Sequence, residues 1–147
     1  MAYHSQSGGI LVIDDNRDIR AFAKRSLEAV GYSVTTAGGG EEGLRFYAEQ
    51  LSPDHRAKIA LLLTDVTMPG MNGFELADRV LTMDSQLPVL FMTGSAWHPY
   101  RGFECIAKPF RSAQLIETVN RVLNANTKER SQRHSLAGEC CQGKVRS

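Results

Sequence analysis

The sequence predicts an α/β fold built on a parallel sheet. Short β-rich runs alternate with longer amphipathic ones, the pattern of parallel strands joined by crossover helices. Three of the short runs, Ile10-Leu11-Val12-Ile13, Ala60-Leu61-Leu62-Leu63 and Val89-Leu90-Phe91-Met92, are almost unbroken apolar stretches. That is what strands covered by helices on both faces require. The 147 residues, 42% of them hydrophobic, supply one core and no more, so one domain is expected.

Strands are predicted over residues 10–13, 33–36, 60–64, 89–92 and 103–107. The second, Ser33-Val34-Thr35-Thr36, is the most polar and suits a sheet edge. A helix over 17–30 puts Ile19, Phe22, Ala23, Leu27 and Val30 on one face, and one over 41–50 turns Leu44 and Tyr47 inward. The same spacing predicts a helix over 73–82 with Leu76, Val80 and Leu81 inward. A last helix over 112–126 buries Leu115, Ile116, Val119, Val122 and Leu123. Residues 1–8 form an N-terminal extension, 9–126 the domain, and 127–147 a polar segment with too few apolar residues to fold alone, expected as a disordered tail. Lys128, Arg130, Arg133, Lys144 and Arg146 outnumber Glu129 and Glu139 there only modestly, as in ordinary solvated chain.

Several function classes are disfavoured by composition. The longest apolar run, 59–63, is far too short to cross a bilayer, and the N-terminus lacks the basic-then-apolar pattern of a secretion signal. A soluble, cytoplasmic protein is expected. A net charge of +1 gives no electrostatic reason to expect a nucleic acid or an anionic membrane as partner. Cys105 and the adjacent Cys140 and Cys141 form neither an even disulfide framework nor a metal knuckle, so reduced thiols are the default. Nothing near Cys105 argues for a lowered thiol pKa, and it reads as a small buried apolar residue.

In an open doubly wound sheet, functional groups gather beyond the carboxyl ends of the strands. Here those positions hold Asp14 and Asp15 after the first strand, Asp65 after the third, Thr93 after the fourth and Lys108 after the fifth. Three carboxylates at one rim repel one another unless a hard divalent cation with oxygen ligands neutralises them. Mg²⁺, or Mn²⁺ in its place, suits such a site because it takes few carboxylates directly and leaves open positions for a phosphoryl oxygen. Asp65 can act as nucleophile, since carboxylates form aspartyl phosphates. Lys108 offers a point charge and Thr93 a hydroxyl donor for the equatorial oxygens.

The segments ILVIDDN, LLLTDVTMPGMNGFEL, VLFMTG and AKPF, in that order and strand context, resemble the receiver domains of two-component response regulators over roughly residues 9–126. The resemblance implies a flavodoxin-like, doubly wound five-stranded parallel sheet in the order 2-1-3-4-5. It implies that Asp14 and Asp15 hold Mg²⁺ together with Asp65, the phosphoacceptor, and with the backbone carbonyl of Thr67. Thr93 and Lys108 would contact the phosphoryl group, and the bond from Lys108 to Pro109 would be cis, which only X-Pro bonds tolerate cheaply. The implied donor is a phosphohistidine on a sensor histidine kinase or histidine phosphotransfer protein, and the output an unidentified downstream protein. Such a module is no ordinary enzyme; it catalyses its own phosphotransfer and slow autodephosphorylation.

Two departures from the family pattern fall on the face its members commonly use for output. Cys105 occupies the position where an aromatic residue usually turns inward on phosphorylation. Only nine residues, 94–102, with Pro99 among them, precede Phe103; a helix of ~8–20 residues with two connections does not fit. The fourth helix is therefore expected to be short or absent, as in some receiver modules of hybrid kinases.

Singly, each site residue has a plainer reading. Asp15 or Asn16 could cap the helix that starts near Arg17, Asp65 could be a loop carboxylate, Thr93 a strand-end hydroxyl and Lys108 a solvated charge. Their arrangement along one sheet edge is what carries the phosphoacceptor reading. A rival is the run Gly38-Gly39-Gly40-Glu41-Glu42-Gly43, which fits a dinucleotide-binding turn. It follows the polar second strand rather than the first, and it leaves Asp14, Asp15, Thr93 and Lys108 without a role. A further alternative is a pseudo-receiver that binds partners without being phosphorylated. Trp97, Tyr100 and Phe103 suit either an exposed docking patch or, more simply, cover for the core beside a shortened crossover. The initial methionine and the tail favour a stand-alone protein, with too little chain after the last helix for an output domain.

Overall fold

The computed structural model describes residues 8–51, 59–94 and 102–135, the last ten of these as backbone alone. The chain runs β1 (Gly9–Ile13), α1 (Arg17–Glu28), β2 (Val34–Ala37), α2 (Gly40–Gln50), β3 (Ile59–Asp65), α3 (Gly73–Met83), β4 (Val89–Thr93), β5 (Glu104–Ala107), α4 (Ser112–Ser135). All five strands are parallel and lie in the order β2-β1-β3-β4-β5. The polar second strand is an edge, as its composition predicts.

The unbroken apolar runs are explained by the two faces they serve. Alternate residues of a strand point to opposite sides, so Ile10 and Val12 of β1, Leu61 and Leu63 of β3, and Leu90 and Met92 of β4 pack with Leu27 of α1 and Leu115 and Val119 of α4. The residues between them, Leu11, Ile13, Leu62, Val89 and Phe91, pack with Tyr47 of α2 and Leu76, Ala77 and Val80 of α3. A sheet with one wet face could not carry these sequences.

Helix ends follow local chemistry. Asn16 caps α1, its side chain accepting from the amides of Asp18 and Ile19; it is Asn16 rather than Asp15 that takes this role. Asn72 and Glu75 form a reciprocal capping box at the start of α3. Helix α1 stops at Glu28, two residues short of expectation, because the chain winds into a turn that closes at Gly31 with φ of 101°.

The last helix differs more. It does not end near residue 126 but continues through Ser135, so the segment expected as tail begins helical. The sequence Thr127-Lys128-Glu129-Arg130-Ser131-Gln132-Arg133 contains good helix formers and no proline or glycine, and propensity extends the helix where the apolar pattern has lapsed. Residues 136–147, with Cys140 and Cys141, lie outside the described residues.

Between the end of β4 at Thr93 and the start of β5 at Glu104 the chain has only ten residues. No helix lies there among the described residues; 95–101, including Trp97 and Tyr100, are outside them. Phe103 is partly buried against the α2/α3 side of the core, with its ring edge-on to Phe91 at 6.2 Å.

One close approach fixes α3 relative to β3. The Gly73 amide donates to the Val66 carbonyl at 2.8 Å, and a Cβ on Gly73 would lie 2.1 Å from the Asp65 carbonyl oxygen. No side chain fits there. Gly73→Ala is therefore expected to lower stability by about 3 kcal/mol, at the upper end for overpacking, in urea unfolding. Gly39→Ala, with nothing within 4 Å of the added carbon, should cost under about 1 kcal/mol.

Candidate functional site

The pairing register brings four strand ends to one rim. Ile13 lies level with Thr64, Asp65 with Met92, and Thr93 with Ala107. Asp14, Asp65, Thr93 and Lys108 are thus the terminal or next residues of β1, β3, β4 and β5. Carboxylate oxygens of Asp14, Asp15 and Asp65 all lie within 4.8 Å of one another. Asp14, Asp65 and Thr93 are buried while Asp15 is exposed, so the cluster opens to solvent on one side.

Lys108 supplies the compensating charge. Its Nζ is 2.8 Å from Asp14 Oδ2 and 3.2 Å from Asp65 Oδ1. The other Asp14 oxygen accepts from the Asn16 amide at 2.9 Å. Asp14 Oδ2 makes no well-aligned hydrogen bond and relies on the ammonium beside it. Burial works to lower the Lys108 pKa, but the close contact with the charged Asp14, and that with Asp65, hold it above its ordinary value. Burial, and then the neighbouring Asp14 charge, hold the Asp65 carboxyl above the usual carboxylate range, with Lys108 opposing in part.

The remaining residues sit as follows. The Lys108 amide donates to the Thr93 carbonyl at 2.8 Å, tying the two together through their main chains. The Lys108–Pro109 peptide bond is cis. Thr67 lies in the loop after β3 and is exposed. Cys105 is partly buried among the residues packed on the α2/α3 side, and burial pushes its thiol up to about 11. It is protonated at neutral pH, as a packing residue would be.

Sequence reasoning missed two contributors. Arg20 Nη1 donates to the Asp14 carbonyl at 2.8 Å, and the buried Thr64 hydroxyl donates to the Asp65 carbonyl at 2.9 Å. A hint of the first was available: an arginine near the N-terminus of a helix opposes the helix dipole, which invites a search for its partner. The Gly38–Gly43 turn, by contrast, is accounted for by packing. Gly38 donates to Glu42 Oε1 at 3.0 Å, and a Cβ on Gly43 would meet Ile13 Cδ1 at 2.1 Å.

An oxygen-only set of three carboxylates around a shared point, open on one side, fits a hard divalent cation. A doubly wound sheet with buried acids, a threonine and a lysine at its carboxyl rim defines a receiver domain, and the chain belongs to the response regulator receiver domain family, whose shared pattern matches residues 10–120. It is similar to the response regulator receiver protein CpdR of Brucella abortus (strain 2308), 33% identical over 123 residues, covering 79% of this chain and 97% of that one. It is also similar to the C4-dicarboxylate transport transcriptional regulatory protein DctD of Rhizobium meliloti (strain 1021), 30% identical over 124 residues. That match covers 80% of this chain but only 25% of DctD; the chain spans about a quarter of such longer regulators. Among solved structures, the receiver domain of the hybrid histidine kinase CckA superposes with a TM-score of 0.67 at 34% identity, covering 79% of this chain and 99% of that one. The chemotaxis protein CheY4 of Vibrio cholerae superposes at 0.69 with 27% identity, covering 78% and 98%. No helix among the described residues is long and apolar enough to cross a membrane.

The sign of the Asp65 shift gives a stability prediction. A carboxyl held above its ordinary 3.8 binds its proton more tightly in the folded state, so ionising it costs stability once the pH exceeds that range. Asp65→Asn is expected to raise the melting temperature at pH 7 in metal-free buffer. The gain should shrink to nothing as the pH falls below about 3.8, which thermal melts across pH would follow.

Proposed function

We propose that the protein accepts a phosphoryl group on Asp65 from a phosphohistidine of a sensor histidine kinase or phosphotransfer protein, as one step of a phosphorelay. The observation that carries this reading is the meeting of the Asp14, Asp15 and Asp65 carboxylates within 4.8 Å of one another, with the Lys108 ammonium against Asp14 and Asp65. An Asp65 oxygen forms the new bond to phosphorus as the bond from phosphorus to the donor imidazole breaks, and the imidazole nitrogen keeps the electron pair. Family membership and the likeness to CpdR and the CckA receiver support the assignment.

Mg²⁺, held by Asp14, Asp15, Asp65 and the carbonyl of Thr67, would neutralise charge on the incoming phosphoryl oxygens. Mn²⁺ has the ligand preferences to replace it. Lys108 exchanges its contact with Asp65 for one with a phosphoryl oxygen, and the Thr93 hydroxyl donates to another. Burial of Asp14 and Asp65 keeps bulk water from one side of the acyl phosphate, while the open side beside Asp15 admits donor and, later, the water of slow autodephosphorylation. A location in the cytoplasm, where such donors operate, and signalling by protein contact complete the reading.

Intact mass spectrometry after incubation with a small-molecule phosphodonor tests it. Wild type should gain one hydroxylamine-labile phosphoryl group only when Mg²⁺ is present, and Asp65→Asn should gain none. A folded, Mg²⁺-binding protein that gains nothing would instead be a pseudo-receiver, a protein-binding module that works without phosphorylation.

A further inference from the structure

We propose that Arg20 is a positioning residue for the acidic pocket: it fixes the peptide unit joining Asp14 to Asp15, so that both carboxylates face one cation. The inference rests on the cation-binding reading above.

Strand pairing around β1 stops at Ile13, which is level with Ala37 on one side and Thr64 on the other. One residue later, the Asp14 amide still reaches the Ala37 carbonyl at 3.3 Å, but the Asp14 carbonyl has left the ladder. Arg20 takes it, with Nη1 at 2.8 Å. That carbonyl and the Asp15 amide belong to one planar unit. A rotation of this unit would swing the Asp15 side chain away from Asp14 and Asp65, and the guanidinium opposes that rotation.

Arg20 is otherwise poorly placed. It stands near the N-terminus of α1, where the helix dipole disfavours a cation. Though it is bonded to the main chain of one of the three acids, it forms no ion pair among the described residues. Its charge therefore works against a bound divalent cation, and its hydrogen bond works for one. The β2–α2 turn also makes room for it: a Cβ on Gly38 would come within 3.2 Å of Nη1, so an alanine there requires the guanidinium to give by a few tenths of an ångström. Gly38 thus borders the guanidinium that holds the main-chain group between the two acids.

The opposite signs of the two effects make the test decisive. MgCl₂ titrations followed by amide NMR shifts would give the Mg²⁺ dissociation constant for wild type, Arg20→Met, Arg20→Lys and Gly38→Ala, at a temperature where urea unfolding shows each one folded. Loss of a group that orients metal ligands typically weakens metal binding about 10–100-fold. Arg20→Met is expected to weaken Mg²⁺ binding at least ten-fold. Arg20→Lys, which keeps a donor, should restore part of the affinity, and Gly38→Ala should weaken binding with the charge intact. The phosphorylation rate should recover at saturating Mg²⁺, with only the half-saturating concentration shifted. Unchanged or tighter Mg²⁺ binding in Arg20→Met would overturn the proposal, as a charge effect alone predicts tightening. If Arg20→Met does not fold, wild-type affinity in both Arg20→Lys and Gly38→Ala would overturn it equally. Failure of wild type to bind Mg²⁺ would instead remove the cation-binding reading itself.

Discussion

Two carboxylates buried next to each other repel, and the architecture of this domain is arranged around that repulsion. Asp14 and Asp65 are both buried at neighbouring strand ends, where water cannot screen them well. A buried unpaired charge is among the costliest features a fold can contain. The Lys108 ammonium, 2.8 Å from one and 3.2 Å from the other, offsets that cost. It can do so only because β5 ends level with β4 and the Thr93 carbonyl fixes the Lys108 main chain. The parallel sheet therefore does more than provide a core: its register sets the distances on which the tolerance of the acids depends.

The parts of the fold legible in the sequence were those written as repeated patterns. Continuous apolar runs marked β1, β3 and β4, and a polar one marked the β2 edge. Helical faces were readable from Leu27, Tyr47, Leu76 and Leu115 because burial imposes a period. Where no period existed, boundaries moved. The end of α4 is set by propensity rather than by apolar spacing, and the end of α1 by a turn at Gly31. Single contacts leave no periodic trace at all: the Tyr32 hydroxyl bonded to the Asn120 side chain links positions 88 apart in the chain, and nothing in either local sequence announces it.

The acidic site was legible because Asp14, Asp65, Thr93 and Lys108 fall at the ends of four strands that share one rim. Its support was not. Arg20 and Thr64 act through main-chain carbonyls, which every residue possesses and no pattern distinguishes. Cys105 illustrates the reverse case, a position read from resemblance as altered. The structure gives it a physical character: a thiol paired across the sheet with Phe91, packed on the α2/α3 side of the core and held protonated by burial.

The meeting of Gly73 with the Asp65 carbonyl has a mechanical consequence. Most contacts between a helix and a sheet pass through side chains, whose torsions can rotate to absorb a small displacement. Here main chain abuts main chain, and the Gly73 amide is bonded to the very next carbonyl, that of Val66. The joint has no rotatable buffer, so its compliance is low. A shift of the β3 terminus therefore presses directly on the first turn of α3, the helix that begins at residue 73.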